Sequence, residues 1–282
     1  MLFERCAVIG IGMIGGSFAL AAKREGLVDT VVGMARTEST LRQARDLSAA
    51  DETTSDAAAA VEGADLVYLA APVGAIPTLL RTIANTVPEG CLVTDAGSTK
   101  REIVAAAADL PAHCAFIGGH PMAGSEQAGI GAADPDLFRG CSYFLTPDTQ
   151  TNADALALLR RLVEGIGAEP IIIDRDEHDR VMAATSHLPH MLAAALCATL
   201  AEFEGDLPRF SGPGLRDSTR VALGPEDLWR DILLSNADNV TARLGELRRT
   251  LDEFEGALEA GDGDGLAALL EGARRLRERL VG

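Results

Sequence analysis

Two polar side chains, Ser98 and His120, follow neighbouring apolar segments and could together remove a proton from an alcohol. Ser98 lies in the sequence DAGSTK (residues 95–100) and His120 in GGHPMAGSE (residues 118–126). A histidine titrates near neutral pH, and a hydroxyl beside it can orient the group that gives up the proton. The pair is typical of a dehydrogenase site, although a lone histidine before proline is equally often a turn residue.

Further candidate ligand groups lie in the second half of the chain, in SHLPH (residues 186–190) and RDSTR (residues 216–220). Arg220 has the forked geometry that clamps a carboxylate, the alternative being a surface ion pair with Asp217. His187 and His190 share one face of a helix, but no cysteine or second histidine pair supports a metal site. We therefore expect no metal.

A glycine-rich loop, with Gly10, Gly12 and Gly15, directly follows the first apolar segment and opens the first helical one. Glycine makes up 29 of 282 residues, so the spacing alone is weak and a simple turn is the alternative. Its position within a βαβ unit favours a dinucleotide whose pyrophosphate sits on the helix N-terminus.

The second apolar segment ends at Ala35 and is followed by Arg36 and Thr37. An NAD site usually has a carboxylate here for the ribose hydroxyls. With no carboxylate and a guanidinium next to hydroxyls, the segment favours NADP over NAD, unless Arg36 faces solvent.

The elements that position these groups alternate between strands and helices over the first 174 residues. Continuous apolar runs predict buried strands, at residues 5–10, 30–35, 65–71, 91–96, 115–118, 142–146 and 170–174. Helix-length segments lie between them, at residues 15–25, 39–46, 75–85, 100–108 and 152–166. This alternation predicts a Rossmann-type, doubly wound parallel sheet in residues 1–174.

Residues 175–282 predict an all-α domain, helical except at residues 205–218. Helices at 228–259 and 265–280 carry apolar residues at three- and four-residue spacing. These faces exceed what a small helical domain can bury alone, so we expect a homodimer through it.

Composition excludes several classes of protein. With 282 residues, 47% of them hydrophobic, the chain can bury the cores of two domains. The formal charge of −17 disfavours nucleic acid as a partner, and the absence of a long uncharged apolar run predicts a soluble protein away from membranes. An odd set of five scattered cysteines with no secretory signal indicates the cytoplasm.

Taken in order, the motifs resemble those of the prephenate/arogenate dehydrogenase family of tyrosine biosynthesis. The resemblance runs from the glycine loop through DAGSTK, GGHPMAGSE, SHLPH and RDSTR to LWRDI (residues 228–232), nearly the whole chain. It implies NAD(P)-dependent oxidative decarboxylation of prephenate to 4-hydroxyphenylpyruvate, with arogenate as an additional or alternative substrate.

The resemblance also implies roles for individual residues. His120 matches the histidine that accepts the proton of the ring 4-hydroxyl, Ser98 the serine that orients that hydroxyl, and Arg220 the arginine that binds a substrate carboxylate. Further matches to the substrate pocket are Asp217, His187, His190, Ser125, Glu126 and Trp229. For the cofactor site we predict contacts from Gly10, Gly12, Met13, Ile14, Gly15, Ala35, Arg36, Thr37, Ala71 and Pro72.

The sequence departs from the family pattern in two respects, and two other functions compete with the one that the resemblance implies. Ala35 and Arg36 replace the acidic ribose ligand of NAD-using members. Because the sequence ends at Gly282 after a helix, we expect no fused chorismate mutase or ACT-type regulatory domain. A 6-phosphogluconate-type dehydrogenase would need a helical lysine near its substrate, whereas only Lys23 and Lys100 occur. A nucleotide sensor without catalysis would not need Ser98, His120 and Arg220 together.

Overall fold

The computed structural model describes residues 1–124 and 127–281, and its centre is one mostly parallel sheet. The strand order is β3-β2-β1-β4-β5-β6-β7-β8, with every neighbouring pair parallel except β6 and β7. The strands are β1 (Phe3–Ile9), β2 (Val28–Met34), β3 (Glu52–Thr54), β4 (Leu66–Leu69), β5 (Leu92–Asp95), β6 (Ala115–Pro121), β7 (Ser142–Thr146) and β8 (Glu169–Ile172). The chain order reverses between β1 and β4, the point where such sheets bind their ligands.

Helices follow most strands. They are α1 (Met13–Arg24), α2 (Glu38–Asp46), α3 (Ala57–Ala60), α4 (Ile76–Ile83), α5 (Arg101–Ala106), α6 (Ala153–Gly165), α7 (Arg175–Met182), α8 (Leu188–Leu200), α9 (Leu207–Phe210), α10 (Pro213–Thr219), α11 (Glu226–Ser235), α12 (Ala237–Ala260) and α13 (Gly263–Val281). A π-helical turn, Ala183–His187, joins α7 to α8.

Apolar side chains cover both faces of the sheet, which is why its central strands read as continuous apolar runs. On one face Phe18 of α1 stacks on Tyr68 of β4, with ring centroids 3.8 Å apart. On the other, Ile76 and Leu80 of α4 pack in a second buried cluster. The two layers hold the carboxyl ends of β1, β4 and β5 in a fixed arrangement.

The structure confirms the Rossmann-type sheet followed by helices and corrects four details of the sequence prediction. β7 runs antiparallel to β6, so the sheet is not wholly parallel. The short edge strand β3 was missed because only three residues, ETT, form it. Residues 205–218, expected to be irregular, contain α9 and most of α10, each begun by a proline in its first turn.

The fourth correction concerns the helix expected at residues 228–259, which breaks at Asn236 into α11 and α12. The Asn236 side chain is buried and donates to the carbonyl oxygen of Asp179, at 2.7 Å. A tertiary hydrogen bond of this kind leaves no periodic signal in the sequence, so the break was not predictable from spacing.

By its contacts the chain divides into two compact units, Met1–Asn236 and Ala237–Gly282. The first contains the sheet and the helices through α11, and the second contains α12 and α13. The predicted domain boundary at residue 174 therefore differs from the division by contacts, and it stays a prediction.

One continuous helical stretch, Arg175–Leu200, is long and apolar enough by composition to cross a membrane. Its first half carries His178 and Asp179, both buried and hydrogen-bonded within the first unit. Only 28% of the apolar window itself is buried.

Candidate active site

The loop after β1 has the geometry that a dinucleotide pyrophosphate requires. Gly10 has φ +94°, and a Cβ there would lie 2.6 Å from the Ala70 carbonyl oxygen, so only glycine fits. A Cβ on Gly12, in contrast, would meet nothing within 4 Å. Gly12 directly precedes α1, which has no acidic residue in its first turn. These features fit a bound pyrophosphate.

A cavity of about 380 Å³ opens at the carboxyl ends of β1, β4, β5 and β6. Ser98 and His120 both line it, so the fold brings the two motifs to one place. Four residues predicted to contact the cofactor line it as well, namely Met13, Ile14, Ala71 and Pro72. The cavity thus extends from Met13 and Ile14, at the start of α1, to His120, whereas Gly10, Gly12 and Gly15 do not line it.

His120 stands on β6 just beyond the last pair that β6 makes with β5. Its Nδ1 lies 2.9 Å from Nε2 of His178, whose own Nδ1 lies 2.8 Å from Oδ1 of Asp179. Phe144 of β7 packs edge-on against the His178 ring, with centroids 5.4 Å apart. The three polar side chains form a continuous buried chain that ends at the cavity.

The electrostatic surroundings keep these histidines neutral. Burial lowers the pKa of His120 well below its usual 6.5, and the neighbouring His178 and Lys100 lower it further. Burial also lowers the pKa of His178, although the hydrogen bond to Asp179 opposes this. Burial alone would raise the pKa of Asp179, but hydrogen bonds from His178 and two backbone N–H groups outweigh it and lower the pKa.

A buried ion pair lies beneath the site. Lys100 and Asp95 are fully buried, and Lys100 Nζ donates to Asp95 and, at 2.6 Å, to the carbonyl oxygen of Gly119. Asp95 also accepts from the N–H of Gly119, at 3.1 Å. The pair therefore ties β5 to the strand segment that carries His120.

The two remaining predicted histidines pack around Trp229 of α11. His190 stacks on the Trp229 ring with centroids 3.5 Å apart, and His187 is 3.2 Å from the Asn236 amide through Nδ1. Burial lowers the pKa of His187 to about 4. None of the three residues lines the cavity described above, so their assignment to the substrate pocket stays a prediction.

The predicted carboxylate clamp lies in a more open part of the molecule. Arg220 follows α10 and, like Asp217, is exposed, and neither lines the cavity. Their assigned roles likewise stay predictions. Ser125 and Glu126, expected to shape the pocket, lie outside the described residues.

At the end of β2, Ala35 is buried and Arg36 is exposed. Thr37 begins α2, its hydroxyl accepting from the N–H of Thr40 at 3.3 Å. Within the described part of the chain the Arg36 guanidinium makes no hydrogen bond or ion pair, and its role toward the cofactor stays a prediction.

Sequence reasoning missed His178, Asp179 and the role of the Lys100–Asp95 pair. His178 and Asp179 sit in RDEHDR, which reads as a polar surface helix. The rule that ligands bind at the carboxyl ends of parallel strands does not locate them, because α7 follows β8, which runs antiparallel to β1, β4, β5 and β6.

Together, the glycine loop, the Rossmann-type sheet and a cavity holding Ser98 and His120 define a nucleotide-dependent oxidoreductase. Residues 18–172 match the family "Prephenate dehydrogenase, nucleotide-binding domain", and residues 174–272 match "Prephenate dehydrogenase, dimerization domain". The chain belongs to the prephenate dehydrogenase family, whose members are NAD(P)-dependent oxidoreductases. The resemblance inferred from the motifs is thereby confirmed.

Relatives of the chain extend over nearly its full length. It is 35% identical to prephenate dehydrogenase of Bacillus subtilis, over 96% of this chain and 74% of that protein. It is 34% identical to cyclohexadienyl dehydrogenase of Zymomonas mobilis, over 98% and 96%. The crystal structure of A. aeolicus prephenate dehydrogenase in complex with hydroxyphenyl propionate and NAD+ superposes with a TM-score of 0.92 at 30% identity, covering 98% of each chain.

Proposed function

We propose that this protein catalyses the NAD(P)-dependent oxidative decarboxylation of prephenate to 4-hydroxyphenylpyruvate. The observation that carries the proposal is that Ser98 and His120 share one cavity with Met13 and Ile14, the residues that follow the glycine loop, in a chain of this family. Arogenate, which differs in its side chain, is the alternative or additional substrate.

In this proposal His120 accepts the proton of the ring 4-hydroxyl at Nε2, the ring nitrogen not bonded to His178. Ser98 orients the hydroxyl from the opposite loop of the cavity. A nicotinamide held beside Met13, Ile14, Ala71 and Pro72 would supply the acceptor for the hydride that leaves C4. The C1 carboxylate leaves as carbon dioxide, its bonding electrons make the ring aromatic, and the proton held by His120 returns to the phenol oxygen. The protein mainly positions the reactants, because aromatisation supplies the driving force.

The anionic groups of the substrate need a local cation, since the chain carries a net charge of −17. We assign this task to Arg220, with Asp217 one turn earlier to orient it. His187, His190 and Trp229 complete the pocket, together with Ser125 and Glu126.

For the cofactor we propose a preference for NADP over NAD. The support is the buried Ala35, which offers no carboxylate to repel a 2′-phosphate, and the exposed Arg36 beside it. The A. aeolicus relative was crystallised with NAD+. The proposed preference for NADP therefore rests on Ala35 and Arg36 of this chain and not on the relative.

We also propose a homodimer formed through the helical part, in the cytoplasm. Leucines of α12 and α13 are largely exposed, among them Leu258 at 66% and Leu270 at 60%. Exposed apolar faces of this size are typical of subunit interfaces. Light scattering should give twice 29.5 kDa, whereas a monomer at micromolar concentration would contradict the dimer.

Steady-state kinetics with prephenate and arogenate, each with NADP and NAD, test the proposed function. We expect reduced cofactor and carbon dioxide in equal amounts from prephenate. No reduced cofactor from either substrate would overturn the proposal. Turnover of arogenate alone would assign the alternative substrate.

A further inference from the structure

We propose that His178 and Asp179 are positioning residues that hold His120 in one tautomer, with its proton on Nδ1 and with Nε2 bare toward the cavity. The proposal deepens the proposed function, on which it rests for the identity of the proton that His120 receives. The tautomer itself follows from the contacts alone.

The argument begins at Asp179, whose side chain is fully buried and whose carboxylate can only accept hydrogen bonds. Its Oδ1 accepts from the backbone N–H of Lys100 at 2.7 Å, and Oδ2 accepts from that of Arg101 at 3.0 Å. These donors at the start of α5 stabilise the ionised form. The Nδ1 of His178, 2.8 Å from Oδ1, must therefore carry a hydrogen and donate it.

The second step passes this constraint to His120. A neutral imidazole carries one N–H, so a His178 that donates from Nδ1 has a lone pair on Nε2. The His120 Nδ1 lies 2.9 Å from the Nε2 atom that carries this lone pair, so His120 Nδ1 must be the donor. His120 then has no hydrogen on Nε2, and within the described part of the chain no side chain hydrogen-bonds to that atom.

The groups packed around the two histidines oppose any other placement of their ring hydrogens. His178 is fully buried, and burial favours its neutral form. The ring of Phe144 packs against both histidines, with centroids 6.2 Å from His120 and 5.4 Å from His178, so ring rotation would require repacking. Charged groups near the chain include the ammonium of Lys100, already bonded to Asp95, and the guanidinium of Arg101, 3.5 Å from Asp179.

The arrangement has a direct consequence for proton transfer. The hydrogen bond at one ring nitrogen sets the state of the other, and a bare Nε2 is what a proton acceptor needs. Once Nε2 is protonated, Nδ1–H becomes a stronger donor to His178, and the negative charge of Asp179 stabilises the resulting imidazolium. An aspartate that orients a histidine in this way acts without itself becoming protonated.

Nitrogen NMR tests the tautomer without any substrate. The chain has five histidines, so long-range ¹H–¹⁵N correlations of protein labelled on histidine nitrogens can be assigned by single replacements such as His120→Asn. We expect a protonated Nδ1 and an unprotonated Nε2 for His120 at neutral pH. A His120 with its hydrogen on Nε2 would overturn the proposal.

Two variants of similar length give the kinetic test. In His178→Gln the amide oxygen can still accept from His120 Nδ1, whereas His178→Met fills the same space without a comparable acceptor. We expect His178→Met to lower kcat about 10- to 100-fold more than His178→Gln, as is typical when a group that orients an active-site side chain is lost. Cofactor affinity should be similar in both.

The outcomes separate the two proposals. Equal kcat for folded His178→Gln and His178→Met, with the His120 tautomer unchanged in both, would overturn the positioning role. If His178→Met does not fold, the spectrum of the wild type still decides the tautomer. A wild type that shows the expected tautomer but does not oxidise prephenate or arogenate would overturn the proposed function instead.

Discussion

The proton-accepting side of the site and its proposed carboxylate-binding side are built in opposite ways. His120, His178 and Asp179 are buried and linked by hydrogen bonds of 2.9 and 2.8 Å. Arg220 and Asp217 are exposed at the end of the short helix α10. A group that must hold one proton at one atom benefits from a rigid, dry environment. A group that must admit and release a dianionic substrate benefits from access.

Removing the proton acceptor gives the largest effect we expect. His120→Asn keeps a polar side chain of similar size but has no base at the position of Nε2, so kcat should fall about 10²- to 10⁴-fold. Cofactor affinity, followed by quenching of protein fluorescence, should stay near that of the wild type. His113→Asn, at an exposed histidine outside the cavity, is the matched control and should leave kcat unchanged. Near-normal turnover by His120→Asn at neutral pH would show that His120 is not the proton acceptor.

Substitution of Arg220, on the exposed side of the site, should change mainly the affinity for the substrate. Arg220→Lys keeps the charge and loses the bidentate fork, and we expect KM for prephenate to rise about 10-fold or more, since a hydrogen bond to a charged group contributes roughly 1.5–3 kcal/mol. Arg216→Lys, at an exposed arginine in the preceding helix α10, controls for a general effect of charge and shape. Equal KM values for the two variants would show that Arg220 binds no carboxylate.

The cofactor site should give a comparable or smaller change, confined to the choice between NADP and NAD. The double variant Ala35→Asp with Arg36→Ile adds a repelling carboxylate and removes the guanidinium. We expect it to lower the ratio of kcat/KM for NADP over NAD about 10-fold or more. Arg42→Ile, at an exposed arginine on α2, should leave the ratio alone. A wild type that already uses NAD more efficiently would contradict the preference.

The same contrast explains what the sequence could and could not predict. The sheet, the glycine loop and the meeting of Ser98 with His120 follow from local patterns: apolar runs, glycine spacing and the rule that ligands bind at carboxyl ends of strands. His178 and Asp179 could not be found this way, because their burial depends on α7 packing against β7 and α5. The helix break at Asn236 depends on its hydrogen bond to Asp179, which is distant in the sequence. The antiparallel direction of β7 likewise depends on its pairing with β6.

The pH dependence of kcat/KM for prephenate tests most directly the central claim that a neutral, buried His120 accepts the proton. Burial, His178 and Lys100 lower the pKa of His120 well below 6.5, so the base stays unprotonated at and above that pH and gains a proton only in more acidic solution. Because kcat/KM reports groups of the free enzyme, we expect it to be level from neutral pH down to 6.5 and to fall only below. A decline with its midpoint at or above pH 6.5 would contradict the account.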